Sequence, residues 1–261
     1  DEEDRFQHDD RYRMVAGRME LTSAGAPGSQ ANRVSEARAW SAFVQDQIAL
    51  GRWTVTPGVR FESIDVTRTD YAGSDPDRSS PTGVRENDVS AWIPGLGVAF
   101  ERSPGVTFFG GVHRGFGPPG PGADEDTDPE SSVNWELGAR LHRDALGAQV
   151  AAFYSDYDNI LGRATLAVGD PTGAGELFNG GAVDVMGLEA SVDVDAGWLA
   201  GAGIEIPVTL AYTWTSAEFD TAFESAFEPW GSVAAGDELP YLPEHQLSAS
   251  VGVVRGPWDA R

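Results

Sequence analysis

Residues 132–157 read SVNWELGARLHRDALGAQVAAFYSDY. In the first half, Val133, Trp135, Leu137, Ala139 and Leu141 alternate with Asn134, Glu136, Gly138, Arg140 and His142. This is period two over about ten residues, the pattern of a strand with one apolar and one polar face. Arg143-Asp144-Ala145-Leu146-Gly147 reads as a short turn, and Ala148, Val150, Ala152 and Tyr154 then resume the apolar positions. Aromatics gather near the end, at Phe153, Tyr154 and Tyr157. Two strands of this length, a tight turn at one end and aromatics near the other describe one hairpin of a transmembrane β-barrel wall.

The unit recurs on both sides. Residues 37–49 place Trp40, Ala42, Val44 and Ile48 on one side, and after the turn Leu50-Gly51-Arg52 residues 53–66 set Trp53, Val55, Pro57, Val59 and Phe61 against Thr54, Thr56, Gly58, Arg60 and Glu62. Pro57 is a blemish in that strand, because it cannot donate to a ladder. Residues 89–102 carry Trp92, Pro94, Leu96, Val98 and Phe100; Ser103-Pro104-Gly105 turns the chain; residues 106–114 set Val106, Phe108, Gly110 and Val112 against Thr107, Phe109, Gly111 and His113. Beyond the opening hairpin, strands are predicted at 183–195, 204–215 and 244–254, with a Gly-rich turn at 196–203.

The connections alternate short and long. The long ones, 69–88, 115–131, 158–181 and 216–242, are rich in turn residues and acid. Residues 1–35 read as a further long loop with room for a short strand around Met14, Val15, Met19 and Leu21. A soluble sandwich has no reason to keep its long loops at one end, whereas an outer-membrane barrel has short periplasmic turns and long external loops. The predicted fold class is therefore all-β: an antiparallel transmembrane β-barrel wall with short periplasmic turns and long extracellular loops. Its apolar face meets outer-membrane lipid. Its polar face, with Arg60, Glu62, Glu136, Arg140 and Glu189, faces a wet lumen. Trp53, Phe108, Tyr154, Trp198, Tyr212 and Trp214 are candidates for the two interfacial aromatic girdles.

Composition narrows the function. The net charge is −23, from 41 acidic and 18 basic residues, which argues against nucleic-acid binding. The acid gathers in Asp1–Asp10, Asp70–Asp88, Asp124–Glu130 and Glu218–Glu228, segments between strands. There is no cysteine, hence no disulfide framework and no thiolate metal site. No apolar run approaches the roughly 18 residues of a membrane helix, but barrel strands are invisible to that test. The chain opens on Asp1 in a polar stretch, and both ends read as cuts in a longer protein.

Six segments, in order, carry a family resemblance: SAFVQDQIALGRWTVTPGVRFE (41–62), WIPGLGVAFERSPGVTFFGGVHRGFGPPGPG (92–122), ESSVNWELGAR (130–140), AAFYSDYDNIL (151–161), NGGAVDVMGLEAS (179–191) and LPYLPEHQLSASVGV (239–253). Together they resemble barrel hairpins of TonB-dependent outer-membrane receptors, with VHRGFGPP closest to the ferric-dicitrate-like subgroup. The resemblance implies a barrel of about 22 strands around an N-terminal plug, located in the Gram-negative cell outer membrane and taking up an iron chelate with energy delivered by the TonB complex through the plug. It also implies that this chain is an internal piece of the wall, about nine strands: 36–255 barrel hairpins, 1–35 extracellular loop region, and no plug. The rival of a different class is a passive porin-like or adhesin barrel.

For ligand binding the candidates are His113 and Arg114, where a strand meets the loop Gly115–Gly122, the loop cations Arg78, Arg85 and Arg163, and Trp230 as a loop aromatic able to cover a ligand. Arginine forks match carboxylates in geometry and charge. The plainer reading is that these residues pair with neighbouring acids or line a wet wall. The acidic run Asp124, Glu125, Asp126, Asp128 and Glu130 has the chemistry of a Ca²⁺ site but lacks the spaced Gly and terminal Glu of an EF-hand, and reads as a solvated loop. The four histidines (8, 113, 142 and 245) show no metal-ligand spacing, and no nucleophile elbow or phosphate loop is present, so neither an enzyme nor a cofactor is predicted.

Overall fold

In a computed structural model, residues 2–121, 123, 127–163, 177–179, 181–224 and 231–260 are described. The elements in chain order begin with β1 (Glu2–Gln7), β2 (Arg11–Val15), β3 (Arg18–Ser23), β4 (Ala31–Gln45), β5 (Ile48–Leu50), β6 (Trp53–Tyr71) and β7 (Pro81–Ser103). There follow β8 (Val106–Gly117), β9 (Glu130–Arg143), β10 (Leu146–Asn159), β11 (Leu161–Arg163), β12 (Leu177–Asn179), β13 (Val183–Asp195) and a single helical turn, α1 (Ala196–Leu199). The last are β14 (Pro207–Phe219), β15 (Phe223–Glu224), β16 (Ser232–Val233), β17 (His245–Val251), β18 (Val253–Arg255) and β19 (Trp258–Ala260).

One antiparallel sheet organises the chain, in the order β1-β4-β6-β7-β8-β9-β10-β13-β14-β17, with β5 continuing the line of β4 beside β6. From β4 onward, neighbours in sequence are neighbours in the sheet, the meander of a barrel wall. The sheet is open: among the described residues nothing pairs with the outer edges of β1 and β17. Gly51-Arg52, Pro104-Gly105 and Asp144-Ala145 are two-residue turns, while the long connections gather at the opposite end with the small hairpins β2–β3, β11–β12 and β15–β16.

Four details depart from the period-two reading. Residues 1–35 are not one loop: β1 is a tenth wall strand, paired with β4 from Glu2↔Glu36 to Gln7↔Ala31, and β2–β3 forms a hairpin. The predicted loop 69–88 shrinks to residues 72–80, because β6 and β7 pair continuously up to Asp70↔Gly83. Thr67, Arg68, Thr69 and Asp70 carry no apolar period, so only the ladder reveals them as strand. The predicted strand 37–49 breaks at Asp46-Gln47, opposite Pro57. Asp46 N–H still donates to Pro57 O at 3.1 Å, but Pro57 has no N–H to return. The predicted strand 204–215 begins at Pro207, since Ile204–Ile206 close the α1 turn.

The register carries the two faces across the whole sheet. Directly opposite residues share a face, and the apolar set runs in unbroken rows: Val44↔Val59↔Pro94, Leu96↔Val112↔Trp135↔Tyr154↔Met186, and Leu210↔Ala249 beside Tyr212↔Leu247. These side chains are open on their outer side: Leu137 is 70% exposed, Trp40 64% and Trp92 62%. A water-soluble β-protein would bury such a surface against a second sheet. The aromatic belts bound the apolar band. Trp53 packs on Phe100 (ring centroids 4.6 Å) at the short-turn end, and Trp40, Phe61 and Trp92 stack in sequence (5.6 and 4.8 Å) towards the loops. The eight residue steps from Trp53 to Phe61 span about 26 Å of strand, and tilt brings that to about 20 Å of height, close to the hydrophobic band of an outer-membrane barrel. The buried core is correspondingly small. Val183, Phe219 and Val233, with Tyr157, Ile160 and Leu239, form a cluster that ties the loop ends together above the wall.

Candidate functional site

The polar face is built from the residues between the apolar ones. On β6 these are Thr54, Thr56, Gly58, Arg60 and Glu62; β7 adds Ile93, Gly95 and Gly97; β8 adds Phe109, Gly111 and His113. All of these but Thr54 and Glu62, together with Phe43, Gln45 and Glu136, line a niche of about 530 Å³ whose floor is bare glycine backbone. Its rim is charged and paired. Arg60 donates from Nε to Glu62 and from Nη2 to Ser41 Oγ (3.0 Å). Further along, Arg140 donates to Gln149 Oε1 (2.8 Å), its guanidinium 5.5 Å from the Phe109 ring centroid.

The predicted ligand residues scatter over this frame. His113 lies on the lumen face in the niche, opposite Gly95 and Asn134. Arg114 borders the same niche, but its side chain does not turn inward with that of His113: the β8–β9 ladder is uninterrupted from Val106 to Gly117, so consecutive residues point to opposite faces and Arg114 shares the outer face with Val112. Arg78 also lies away from the lumen. It sits in the loop 72–80 at φ +53° and donates to Asp4 (Nη1 to Oδ2, 2.7 Å) and Asn32 Oδ1 (2.9 Å), on the face opposite Glu3 and Arg5. The Asp4 hydrogen bond holds the Arg78 guanidinium above its ordinary value and the Asp4 carboxyl below its own. Arg85 is on the inner face of β7, opposite Arg68. Arg163 ends β11, its side chain outside the described residues, as are Trp230 and the acids Asp124, Glu125 and Asp126.

Two cations that the sequence did not single out, Arg33 and Arg68, join Arg85 on the inner face of the vestibule, the part of the wall above the belt Trp40–Phe61–Trp92. They fall in stretches without apolar alternation, so nothing local marks them as strand. Arg68 donates from Nε (2.9 Å) and Nη2 (2.7 Å) to Asp70 Oδ1. Burial, and then the neighbouring Arg68 and Arg5, press the Arg33 guanidinium below its ordinary value.

An open antiparallel wall with a lipid face, a wet face and a cationic vestibule limits the candidates to outer-membrane barrels. Residues 3–261 match the family model described as TonB dependent receptor-like, beta-barrel. This chain belongs to the TonB-dependent receptor β-barrel family. The TonB-dependent receptors are transport receptors built on outer-membrane β-barrels, not a family of enzymes. The ferrienterobactin receptor of Escherichia coli (strain K12) is 24% identical over 242 residues, covering 87% of this chain and 28% of that protein. The unliganded crystal structure of the ferric citrate transporter FecA superposes with a TM-score of 0.61 at 20% identity, over 97% of this chain and 35% of that one. The siderophore receptor PiuA from Acinetobacter baumannii gives 0.64 at 16% identity, over 90% of this chain and 32% of that one. The chain thus spans about a third of the length of the receptors it resembles, and its nine predicted strands are wall strands of this barrel fold.

Proposed function

We propose that this chain is part of an outer-membrane receptor that takes up a ferric chelate with energy supplied through TonB. The carrying observation is the unbroken two-faced register: lipid-facing side chains run across the nine strands from β4 to β17, and the opposite face is polar, glycine-floored and charged. Such a wall encloses a wet conduit. The matched relatives, a ferrienterobactin receptor and a ferric citrate transporter, support iron chelates as the cargo class. In this reading the lumen-facing side chains and the vestibule contact the chelate, with His113 in the niche and Arg85 in the vestibule among them. Arg114, on the outer face, and Arg78, held by Asp4, drop out.

The test is uptake by the intact receptor in an iron-starved host whose own receptors are deleted. Radioiron supplied as ferric citrate and as ferric enterobactin is measured with and without TonB. Accumulation that requires TonB is the expected result. Diffusive uptake of small solutes that ignores TonB would assign the wall to a passive pore instead.

A further inference from the structure

At its short-turn end the wall sorts charge between its two faces. Arg143 ends β9 directly opposite Leu146, and the row continues on the outer face through Val194 and Val208 to Val251. Arg255 ends β18. The β14–β17 register carries on through the bridge Glu205↔Val254, so Val251, Val253 and Arg255 follow one another on the outer face while Val254 turns inward. Trp258 is directly opposite Arg255, shares its face and is 78% exposed. Both arginines thus stand just past the last aliphatic side chains of the lipid face.

The acids of this end stand elsewhere. Glu101 opposite Thr107, Asp193 opposite Thr209 and Glu205 opposite Val254 all belong to the inner face. Asp193 accepts from Thr209 Oγ1 (2.7 Å), and Asp195 spends its Oδ1 on three backbone N–H groups. Asp144 occupies the turn itself, at φ +41°. Arg143 and Arg255 are exposed, and neither side chain makes a hydrogen bond or ion pair with another described residue. At the loop end the same outer face reverses the sign: Asp156, Asp184 and Glu218 form one row there. The lipid face is therefore bounded by guanidinium groups at one edge and by carboxylates at the other.

This placement selects a partner. The chain holds 41 acids and 18 cations, all of them arginine, yet it leaves two arginines at the short-turn edge of the lipid face without a protein counter-charge. What lies against that edge is the headgroup layer that continues the lipid already covering Leu146, Val194, Val208 and Val251. The arginine stem can follow that apolar surface while its head reaches the headgroups. The planar guanidinium fork matches phosphate oxygens in geometry and charge. An indole beside it, as Trp258 is beside Arg255, suits the same depth, since its ring is apolar and its N–H finds a wet partner.

We propose that Arg143 and Arg255 bind the phosphate groups of anionic phospholipids in the periplasmic leaflet, with Trp258 seated at headgroup depth beside Arg255. The inference rests on the wall and its two faces and goes beyond the uptake reading, whose cargo plays no part in it.

The experiment uses the intact receptor, purified in a neutral detergent and titrated with phosphatidylglycerol or phosphatidylethanolamine. Bound lipids are counted by native mass spectrometry. Wild type is expected to bind phosphatidylglycerol more tightly than phosphatidylethanolamine. Arg143→Gln and Arg255→Gln should each weaken phosphatidylglycerol about fivefold at the affected site, the change expected for one arginine at an anionic lipid surface. Arg255→Lys should keep most of the affinity, because an ammonium still pairs with phosphate. Arg11→Gln, on the β2–β3 hairpin at the loop end, should change nothing. Heat-modifiable migration confirms that each variant is a folded barrel, and the wild-type preference tests the idea even where a variant fails to assemble. A wild type that does not distinguish the two lipids overturns the proposal. So does unchanged phosphatidylglycerol binding in both folded glutamine variants, or an equal loss in Arg11→Gln. Each of these results leaves the uptake reading standing.

Discussion

Phe109 lies over Gly138, its directly opposite neighbour on the lumen face: a Cβ built on Gly138 would stand 2.4 Å from Phe109 Cζ and 2.6 Å from Val150 O. Phe153 and Gly187 repeat the relationship one hairpin on, with a Cβ on Gly187 again 2.4 Å from the ring. Glycine in a strand is weakening by itself. Here the missing side chain makes room for an aromatic ring lying against the backbone, and the ring covers what glycine leaves bare. Lumen-facing phenylalanines therefore lie against the wall.

Gly138→Ala should destabilise the folded barrel by about 1–3 kcal/mol, the range for forcing an extra methyl into occupied space. Gly97→Ala should be neutral or slightly stabilising, since its Cβ would meet nothing nearer than Thr56 Cβ at 3.8 Å. Urea titration of the refolded receptor in detergent compares the two. Equal effects would contradict the packing described for Phe109.

Val59→Arg and Leu137→Arg place a cation on the lipid face and should each cost about 2–4 kcal/mol near mid-membrane. Thr56→Arg faces the lumen and should be milder. Gly138→Arg, which strand parity alone would also class as a mild lumen change, should be severe, because Phe109 and Val150 O fill the space its Cβ requires. Folded yield in an outer-membrane assembly assay orders the four, and a tolerated Leu137→Arg would reverse the assignment of faces.

Asp4 and Arg78 join β1 to the loop 72–80 across 74 residues of chain. The Arg78 hydrogen bond depresses the Asp4 carboxyl, so its contribution is complete above the unfolded value near 3.9 and is lost as pH falls through the lower folded one. Amide protection in residues 72–80, corrected for the intrinsic pH dependence of exchange, should therefore be flat from neutral pH to about 5 and fall below about 4. Asp4→Asn should raise exchange at neutral pH and flatten the acid response. Any residual acceleration belongs to Asp75, held low by the N–H groups of Ser80 and Ser79.

Asp195 is the anchor of the longest short-end connection. Its Oδ1 accepts from Gly197 N (2.9 Å), Trp198 N (3.1 Å) and Ile206 N (2.9 Å), capping α1 and closing the turn onto β14. Asp195→Ala leaves those donors unmatched, while Asp195→Asn keeps an acceptor. Limited proteolysis should cut the alanine variant at Trp198-Leu199 and spare the asparagine one; equal resistance would mean the cap does not hold the turn.

Alternation, turn residues and the short–long rhythm of connections determined the barrel wall, its two faces and the side chains that meet lipid, because a strand's period of two is a property of the local chain. That is why Val59, Leu137 and Trp92 could be placed before any contact was known, and why His113 could be assigned to the lumen side. Partnerships across the sheet were not local. The pairing of Arg5 with Arg33, the turning of Asp70 towards Arg68, the capture of Arg78 by Asp4 and the separation of His113 from Arg114 all follow from register and loop folding. The upper parts of β4, β6 and β7, and β1 as a whole, escaped notice for a related reason. They stand above the membrane with water available, so hydrogen-bonded ladders can hold polar residues there without the apolar alternation that lipid imposes lower down. The sequence determined the wall because lipid enforces a pattern on it; the vestibule took shape only in the tertiary structure, where backbone pairing alone decides which charges meet.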